Sequence, residues 1–126
     1  FVSREFTGTF SNINETNAPL SGKLAIDSEK ISIFLFLDYT YQVKNPYSFS
    51  QKYEISVRLE NGNTKEFIGS MHSDGDRILV TGSSVEPLKE LLKTGGKIKF
   101  YICEADNDIT NYLFEISSDN LKSMID

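Results

Sequence analysis

The feature that most constrains the fold is a run of apolar and polar residues in strict alternation, Tyr53–Glu60, followed at once by Asn61-Gly62. Alternation with a period of two places one set of side chains on each face of a β-strand, whereas a helix would mix the two sets. Asn-Gly suits a two-residue type I′ turn, because both turn positions need a positive φ. The run therefore predicts a hairpin whose return strand is Thr64–Ser70.

Similar strand patterns recur along the chain, and the run Ile31–Leu37 is apolar on both faces, as in a strand that is covered on both sides. These patterns predict a mainly β protein that forms one domain over residues 1–126. The architecture expected is an antiparallel β-sandwich or a partly closed barrel of about eight or nine strands, and such a barrel can enclose a small ligand. The remaining predicted strands are Glu5–Phe10, Lys23–Asp27, Arg77–Thr81, Lys97–Glu104 and Asn111–Ser117.

Two segments depart from the strand pattern. Three leucines recur at helical spacing in residues 84–94, and Gly95-Gly96 then ends the pattern. This spacing predicts one short helix before the last hairpin. Apolar residues also follow a helical spacing in Ser118–Asp126, which predicts a short C-terminal helix.

Composition excludes some classes of function. The chain is 39% apolar and 25% charged, as in a soluble globular protein, and its net charge is −5. Its 13 basic residues are scattered, whereas binding to a nucleic-acid backbone needs clustered Lys and Arg, so we expect no nucleic-acid partner. The longest apolar run, Ile33–Leu37, is too short for a transmembrane segment. Abundant Ser, Thr and Asn in a β fold favour an extracytoplasmic location: periplasm, cell surface or secreted.

Two motifs resemble reactive sites but have simpler interpretations. His72-x-Asp74-x-Asp76 contains three potential metal ligands, yet it also contains the turn pair Asp74-Gly75. Ligands on a hairpin tip form a weak cage, so we interpret the motif as a turn and predict no metal site. Cys103 lies inside a predicted strand, and a catalytic thiol needs a histidine partner and a low pKa. We interpret it as a half-buried structural thiol and predict no catalytic residue and no cofactor.

The acidic segment Glu104–Asp108 has several carboxylates of the kind that calcium prefers, but it lacks the spacing of a calcium-binding loop. We interpret it as a solvated hairpin loop, and calcium binding stays open at this stage. The acidic residues of the chain fall at outward strand positions or in turns. No pair of carboxylates is therefore singled out for hydrolytic chemistry.

The most unusual segment is Tyr39–Phe49, which precedes Tyr53, is rich in tyrosine and is here called the Tyr-rich segment. Aromatic side chains mixed with Ser, Asn and Gln are typical of binding loops, because they combine rigid contact area with adaptable hydrogen bonds. The alternative is that these tyrosines belong to strands, with their rings in the core and their hydroxyls in water. The predicted binding residues are Tyr39, Tyr41, Asn45, Tyr47 and Phe49.

These observations favour a non-catalytic binding module, exported from the cytoplasm, that recognises a protein or a glycan through the Tyr-rich segment. A second hypothesis is an inhibitor or immunity protein that neutralises a basic partner, because an acidic surface steers association with such a partner. A third is a small hydrolase that uses carboxylates, and a fourth is a structural subunit of a larger surface assembly.

Overall fold

The computed structural model describes residues 2–11, 16–37, 52–72, 77–105, 110–119 and 121–125. Within these ranges the chain forms eight strands, two α-helical segments and a 3-10 turn at Gly82–Ser84. The strands and helices are β1 (Val2–Ser11), β2 (Ala18–Ile26), β3 (Lys30–Leu37), β4 (Lys52–Arg58), β5 (Thr64–Met71), β6 (Arg77–Thr81), α1 (Val85–Leu92), β7 (Lys97–Glu104), β8 (Asn111–Ser117) and α2 (Leu121–Ile125).

The eight strands form one closed antiparallel barrel in the order β1-β2-β3-β6-β5-β4-β7-β8. Closure comes from β1 and β8, which pair from Gly8 opposite Phe114 to Ser11 opposite Asn111. The predicted mainly β architecture and its barrel alternative are confirmed. The sandwich alternative is wrong, because the strands continue around a single sheet and do not divide into two facing sheets.

The two N-terminal strands are longer than the alternation predicted. β1 begins at Val2 and β2 at Ala18, whereas the sequence pattern starts at Glu5 and Lys23. Pro19 and Gly22 weaken the strand signal in β2, since both residue types are depleted in strands. Pairing with β1 along nearly the whole of β2 overrides this local preference, because each ladder position adds inter-strand hydrogen bonds.

Because neighbouring strands are antiparallel, the strand ends fall into two groups. One end of the barrel, here called the upper end, holds the last residues of β1, β3, β5 and β7 and the first residues of β2, β4, β6 and β8. The opposite, lower end holds the β2–β3 turn, the β4–β5 turn and the connection from β6 to β7 that contains α1.

Helix α1 confirms the predicted short helix and closes the lower end. Its side chains Val85, Leu88 and Leu92 are buried in the same core cluster as the strand residues. The C-terminal helix expected over residues 118–126 is reduced to one five-residue turn, α2, so it is not a second helix comparable with α1. In the described ranges, neither helical segment has the length and apolarity needed to cross a membrane.

The barrel interior is filled by aromatic and aliphatic side chains. Phe114 lies between Phe6 and Phe100, with ring centroids 3.7 and 4.9 Å away and interplanar angles of 9°. Gly22 makes room for this stack, because a Cβ at that position would meet the ring of Phe6 and the carbonyl oxygen of Phe34. Eight strands enclose a space that side chains can fill, and here they do so along the middle of the barrel.

Candidate functional site

The predicted binding residues Tyr39, Tyr41, Asn45, Tyr47 and Phe49 lie outside the described residues. The strands on either side of them are nonetheless placed. β3 ends and β4 begins at the upper end of the barrel, and in the wall these two strands are separated by β6 and β5. The Tyr-rich segment is therefore attached to the upper end at both of its boundaries.

The same end of the barrel contains a group of buried polar side chains, here called the upper cluster: Tyr53, Glu104 and Tyr112. Tyr53 is directly opposite Glu104 on the neighbouring strand, and Tyr112 follows on the next strand, opposite Ile102. The exposed fractions of Tyr53, Glu104 and Tyr112 are only 2%, 1% and 0%. A buried carboxyl between two phenols is a concentrated polar site in an otherwise apolar interior.

The electrostatics of the upper cluster show that its members interact. Burial, followed by the negative charge of Glu104, raises the pKa of Tyr53 to about 12. Burial also raises the pKa of Tyr112 well above its usual value, and the neighbouring Tyr53 and Glu104 add to this shift. Both phenols therefore keep their protons at neutral pH and can donate hydrogen bonds to an acceptor within reach.

Backbone hydrogen bonds hold the upper cluster at the barrel end. The Glu104 N–H donates to the Thr110 carbonyl at 3.2 Å, across the β7–β8 hairpin, and the Ala105 N–H donates to the Lys52 carbonyl at 3.0 Å. Thr110 is itself buried, and its Oγ1 has no hydrogen-bond partner among the residues that the structure describes. The arrangement thus presents fixed polar groups of both donor and acceptor type.

Sequence reasoning missed Glu104. It was interpreted both as the end of the predicted strand Lys97–Glu104 and as the first residue of a solvated acidic loop, Glu104–Asp108. The strand position is confirmed, since Glu104 is the last residue of β7, but its side chain is buried and not solvated. The view that every acidic residue lies outward or in a turn is therefore wrong for this residue. The signal was available, because Glu104 continues the inward series of Ile98, Phe100 and Ile102. Asp106 and Asp108 lie outside the described residues.

His72 and Cys103 are the other two candidates from the sequence. His72 directly follows β5, and its N–H donates to the Arg77 carbonyl at 2.9 Å, across the predicted hairpin; Asp74 and Asp76 lie outside the described residues. Cys103, on β7, is buried, more fully than the half-buried thiol that was predicted. No cluster of three or more His, Cys, Asp or Glu side chains suited to a metal ion occurs in the described part of the chain.

Comparison of the chain with protein-family models, with curated proteins and with solved structures found no match.

Proposed function

We propose that the protein is a non-catalytic binding module and that it recognises a protein or a glycan at the upper end of the barrel. The observation that carries this proposal is that the upper cluster lies at the barrel end from which the Tyr-rich segment leaves and to which it returns. Polar groups in fixed positions beside a tyrosine-rich segment are a common composition for recognition surfaces.

The packing of the barrel supports recognition at the rim rather than deep inside. α1 closes the lower end, and the stacked rings of Phe6, Phe114 and Phe100 fill the middle. A ligand that reaches the barrel therefore meets the upper end, to which the Tyr-rich segment is attached. On this proposal Tyr39, Tyr41, Asn45, Tyr47 and Phe49 supply contact area, and the upper cluster supports the rim beneath them.

Tyrosine truncation tests the proposal. We expect Tyr41→Ala and Tyr47→Ala to keep the melting temperature of the parent while they weaken partner binding, because rigid aromatic contacts carry most of the energy of such interfaces. Tyr101→Ala is the matched control: Tyr101 is an exposed tyrosine on the outer wall, near the middle of β7. Capture from lysate with mass spectrometry and a glycan array would be run in parallel on all four proteins.

Three results would be informative. Loss of one protein or glycan signal in both loop variants, with retention in the control, supports the proposal and identifies the partner class. Equal signals in all proteins contradict it. A large fall in melting temperature for the loop variants also contradicts it, because it would place their rings in the core.

The inhibitor hypothesis makes a separate prediction from net charge. With 18 acidic and 13 basic residues, the chain would associate quickly with a basic partner at low salt. We expect the association rate to fall steeply between about 50 and 500 mM salt for such a partner, since screening shortens the reach of surface charge. A rate that does not depend on salt argues against this hypothesis.

The hydrolase hypothesis now has one concrete residue, because Glu104 is a buried carboxyl and hydrolases that use carboxylates need such a group at the site of reaction. Glu104→Gln keeps the shape of the side chain and removes its ability to ionise. Hydrolysis of a substrate panel by the parent and not by Glu104→Gln would replace the binding proposal with an enzymatic one.

A further inference from the structure

The barrel wall has an incomplete seam between β5 and β6. β5 pairs with β4 along nearly its whole length, from Thr64 opposite Arg58 to Ser70 opposite Lys52. On its other side β5 pairs with β6 at Ser70 and Met71 alone. The stretch Thr64–Ile68, here called the β5 edge, thus forms ladder pairs with a strand on one side and, within the described ranges, with none on the other.

The direction of the free backbone groups follows from two hydrogen bonds. At the β4–β5 turn the Leu59 N–H donates to the Asn63 carbonyl at 2.8 Å, so in an antiparallel pair the odd-numbered residues of β5 bond to β4. At the other end of β5 the His72 N–H donates to the Arg77 carbonyl at 2.9 Å, so the even-numbered residues point towards β6.

The two hydrogen bonds agree that the odd-numbered residues of β5 bond to β4 and that the even-numbered residues face the other side. The N–H and C=O groups of Thr64, Glu66 and Ile68 therefore point away from β4. In the β5–β6 register Ile68 is level with Thr81, the last residue of β6, without a ladder pair between them, and Thr64 and Glu66 lie beyond the end of β6. Such a row of alternating donors and acceptors is the template on which an extended peptide adds as a further strand.

The surroundings of the β5 edge are open to solvent. Its even-numbered side chains are exposed, and Ile68, at 55%, is more exposed than the other large apolar residues described as exposed. β6 ends at Thr81, the chain enters a 3-10 turn at Gly82, and a Cβ placed on Gly82 would meet no atom within 4 Å. The analogous part of β1 differs, because Arg4 there contacts the C-terminal segment through the Asp119 carbonyl at 3.3 Å.

We propose that the β5 edge binds an extended segment of a partner protein as an additional strand. The outward side chains of the edge set the preferred sequence of that segment. Glu66 favours a Lys or Arg directly opposite, and Ile68 favours an apolar residue, because cross-strand neighbours on one face contact each other. The site does not involve the upper end of the barrel, so it is independent of the proposed function.

A second copy of this chain fits the β5 edge poorly. Antiparallel pairing of two β5 edges that uses all three open residues places Glu66 opposite Glu66 of the other copy, with Thr64 opposite Ile68. Like charges directly opposite each other destabilise a strand pair. Charge complementarity therefore selects a basic partner segment over self-association.

The first test is amide exchange in the free protein, read residue by residue by NMR. The Glu66 and Ile68 amides should exchange rapidly, whereas the Lys65 and Phe67 amides, which bond to β4, should be protected. A peptide with blocked ends, Thr-Val-Ile-Lys-Glu-Thr-Val, is then titrated to about 1 mM. Its Lys would lie opposite Glu66. Its first Val would lie opposite Ile68 if the peptide runs antiparallel to β5 and opposite Thr64 if it runs parallel. We expect shift changes at residues 64–68 and slower exchange at Glu66 and Ile68.

Two variants and a control make the test specific. Glu66→Lys should weaken peptide binding about fivefold or more, because it replaces an attractive cross-strand pair with a repulsive one. Ile68→Pro removes an N–H from the open side without breaking a bond to β4, and it should abolish binding. Glu5→Lys makes the same charge change at an exposed position of β1, four strands away from β5 in either direction around the barrel, and should leave binding unchanged.

Contrary outcomes are equally clear. Protection of the Glu66 and Ile68 amides in the free protein would show that the edge is already covered, and it would overturn the proposal. So would a peptide titration that leaves the chemical shifts of residues 64–68 unchanged, or peptide binding that Glu66→Lys and Glu5→Lys weaken equally. A concentration-dependent dimer that dissociates in Ile68→Pro would replace the partner segment with a second copy.

Discussion

Alkaline pH should destabilise the protein through the upper cluster, and Tyr53 is the residue to change. In an unfolded chain a tyrosine hydroxyl has a pKa near 10, whereas burial and the charge of Glu104 raise the pKa of Tyr53 in the folded protein to about 12. A raised folded-state pKa means that the neutral phenol contributes stability fully below pH 10. That contribution is lost as the pH rises from 10 to 12.

The size of the effect follows from the same two values. Each unit of difference between the folded and unfolded pKa corresponds to about 1.4 kcal/mol, so Tyr53 accounts for about 2–3 kcal/mol over the whole range. Between pH 9 and pH 11 the expected loss is about 1.4 kcal/mol, because the unfolded phenol is ionised by then and the folded phenol is not. Tyr112 shifts in the same direction, so it adds to the loss.

Urea unfolding at pH 9 and pH 11 measures this contribution in parent and Tyr53→Phe protein. The parent should lose more free energy of unfolding than Tyr53→Phe, by about 1.4 kcal/mol, while lysine ionisation affects both proteins alike. Tyr101→Phe, at an exposed ring on the outer wall, controls for the loss of a hydroxyl. Glu104→Gln should lower the pKa of Tyr53, as measured by absorbance at the tyrosinate band, because it removes one of the two causes of the shift.

Equal losses in the parent and Tyr53→Phe between pH 9 and pH 11 would refute the reasoning. Tyr53 would then ionise as it does in the unfolded chain, and Glu104 and Tyr53 would not share a buried site. The inward placement of Glu104 at the upper end would be wrong as well.

Three further predictions concern the framework. Phe114→Ala should lower the free energy of unfolding, measured in urea, by about 3–5 kcal/mol, because it removes the middle ring of a buried stack. Leu113→Ala, at an exposed neighbouring residue, should lower it by less than about 0.5 kcal/mol. Gly22→Ala should prevent folding or lower the melting temperature strongly, because the added Cβ has no space. Gly62→Ala has open space, so it should lower the free energy of unfolding by only about 1–2 kcal/mol, the strain of a φ of 93°. Backbone N–H donors lower the pKa of Asp27, so the stability difference between parent and Asp27→Ala should be present at pH 6 and should shrink as the pH falls below 3.8.

Residues 53–58 show why much of the fold could be predicted. Their alternation specifies a strand with one buried face, and Asn61-Gly62 marks the position of the turn. The predicted two-residue type I′ turn is wrong, because three residues, 60–62, connect the paired residues Leu59 and Asn63, and Gly62 has a positive φ whereas Asn61 does not. β5 then follows in the register that this turn imposes. The short helix α1 could be predicted equally well, because its leucines repeat at helical spacing and glycines follow its end. Information of this kind lies within a few residues of the chain, so no distant contact is needed to read it.

The candidate site was harder to predict from the sequence, as Glu104 shows. Within its own segment this residue looks like the first member of a run of solvated acids, and only the inward series along β7 argues otherwise. Its contact with Tyr53 depends on β4 and β7 becoming neighbours, although about fifty residues separate them in the chain. Pairing over such a separation is decided by the packing of the whole sheet.

The sequence by itself determined the type and approximate place of most elements and which faces they bury, because period, turn chemistry and helix ends are local properties. Tertiary structure decided that the sheet closes into a barrel, that α1 occupies the lower end, and that Tyr53, Glu104 and Tyr112 meet at the upper end. It also decided that β6 leaves part of β5 unpaired. These outcomes depend on strand order and stagger, which arise when distant strands compete for the same neighbours, and no short stretch of sequence records the result of that competition.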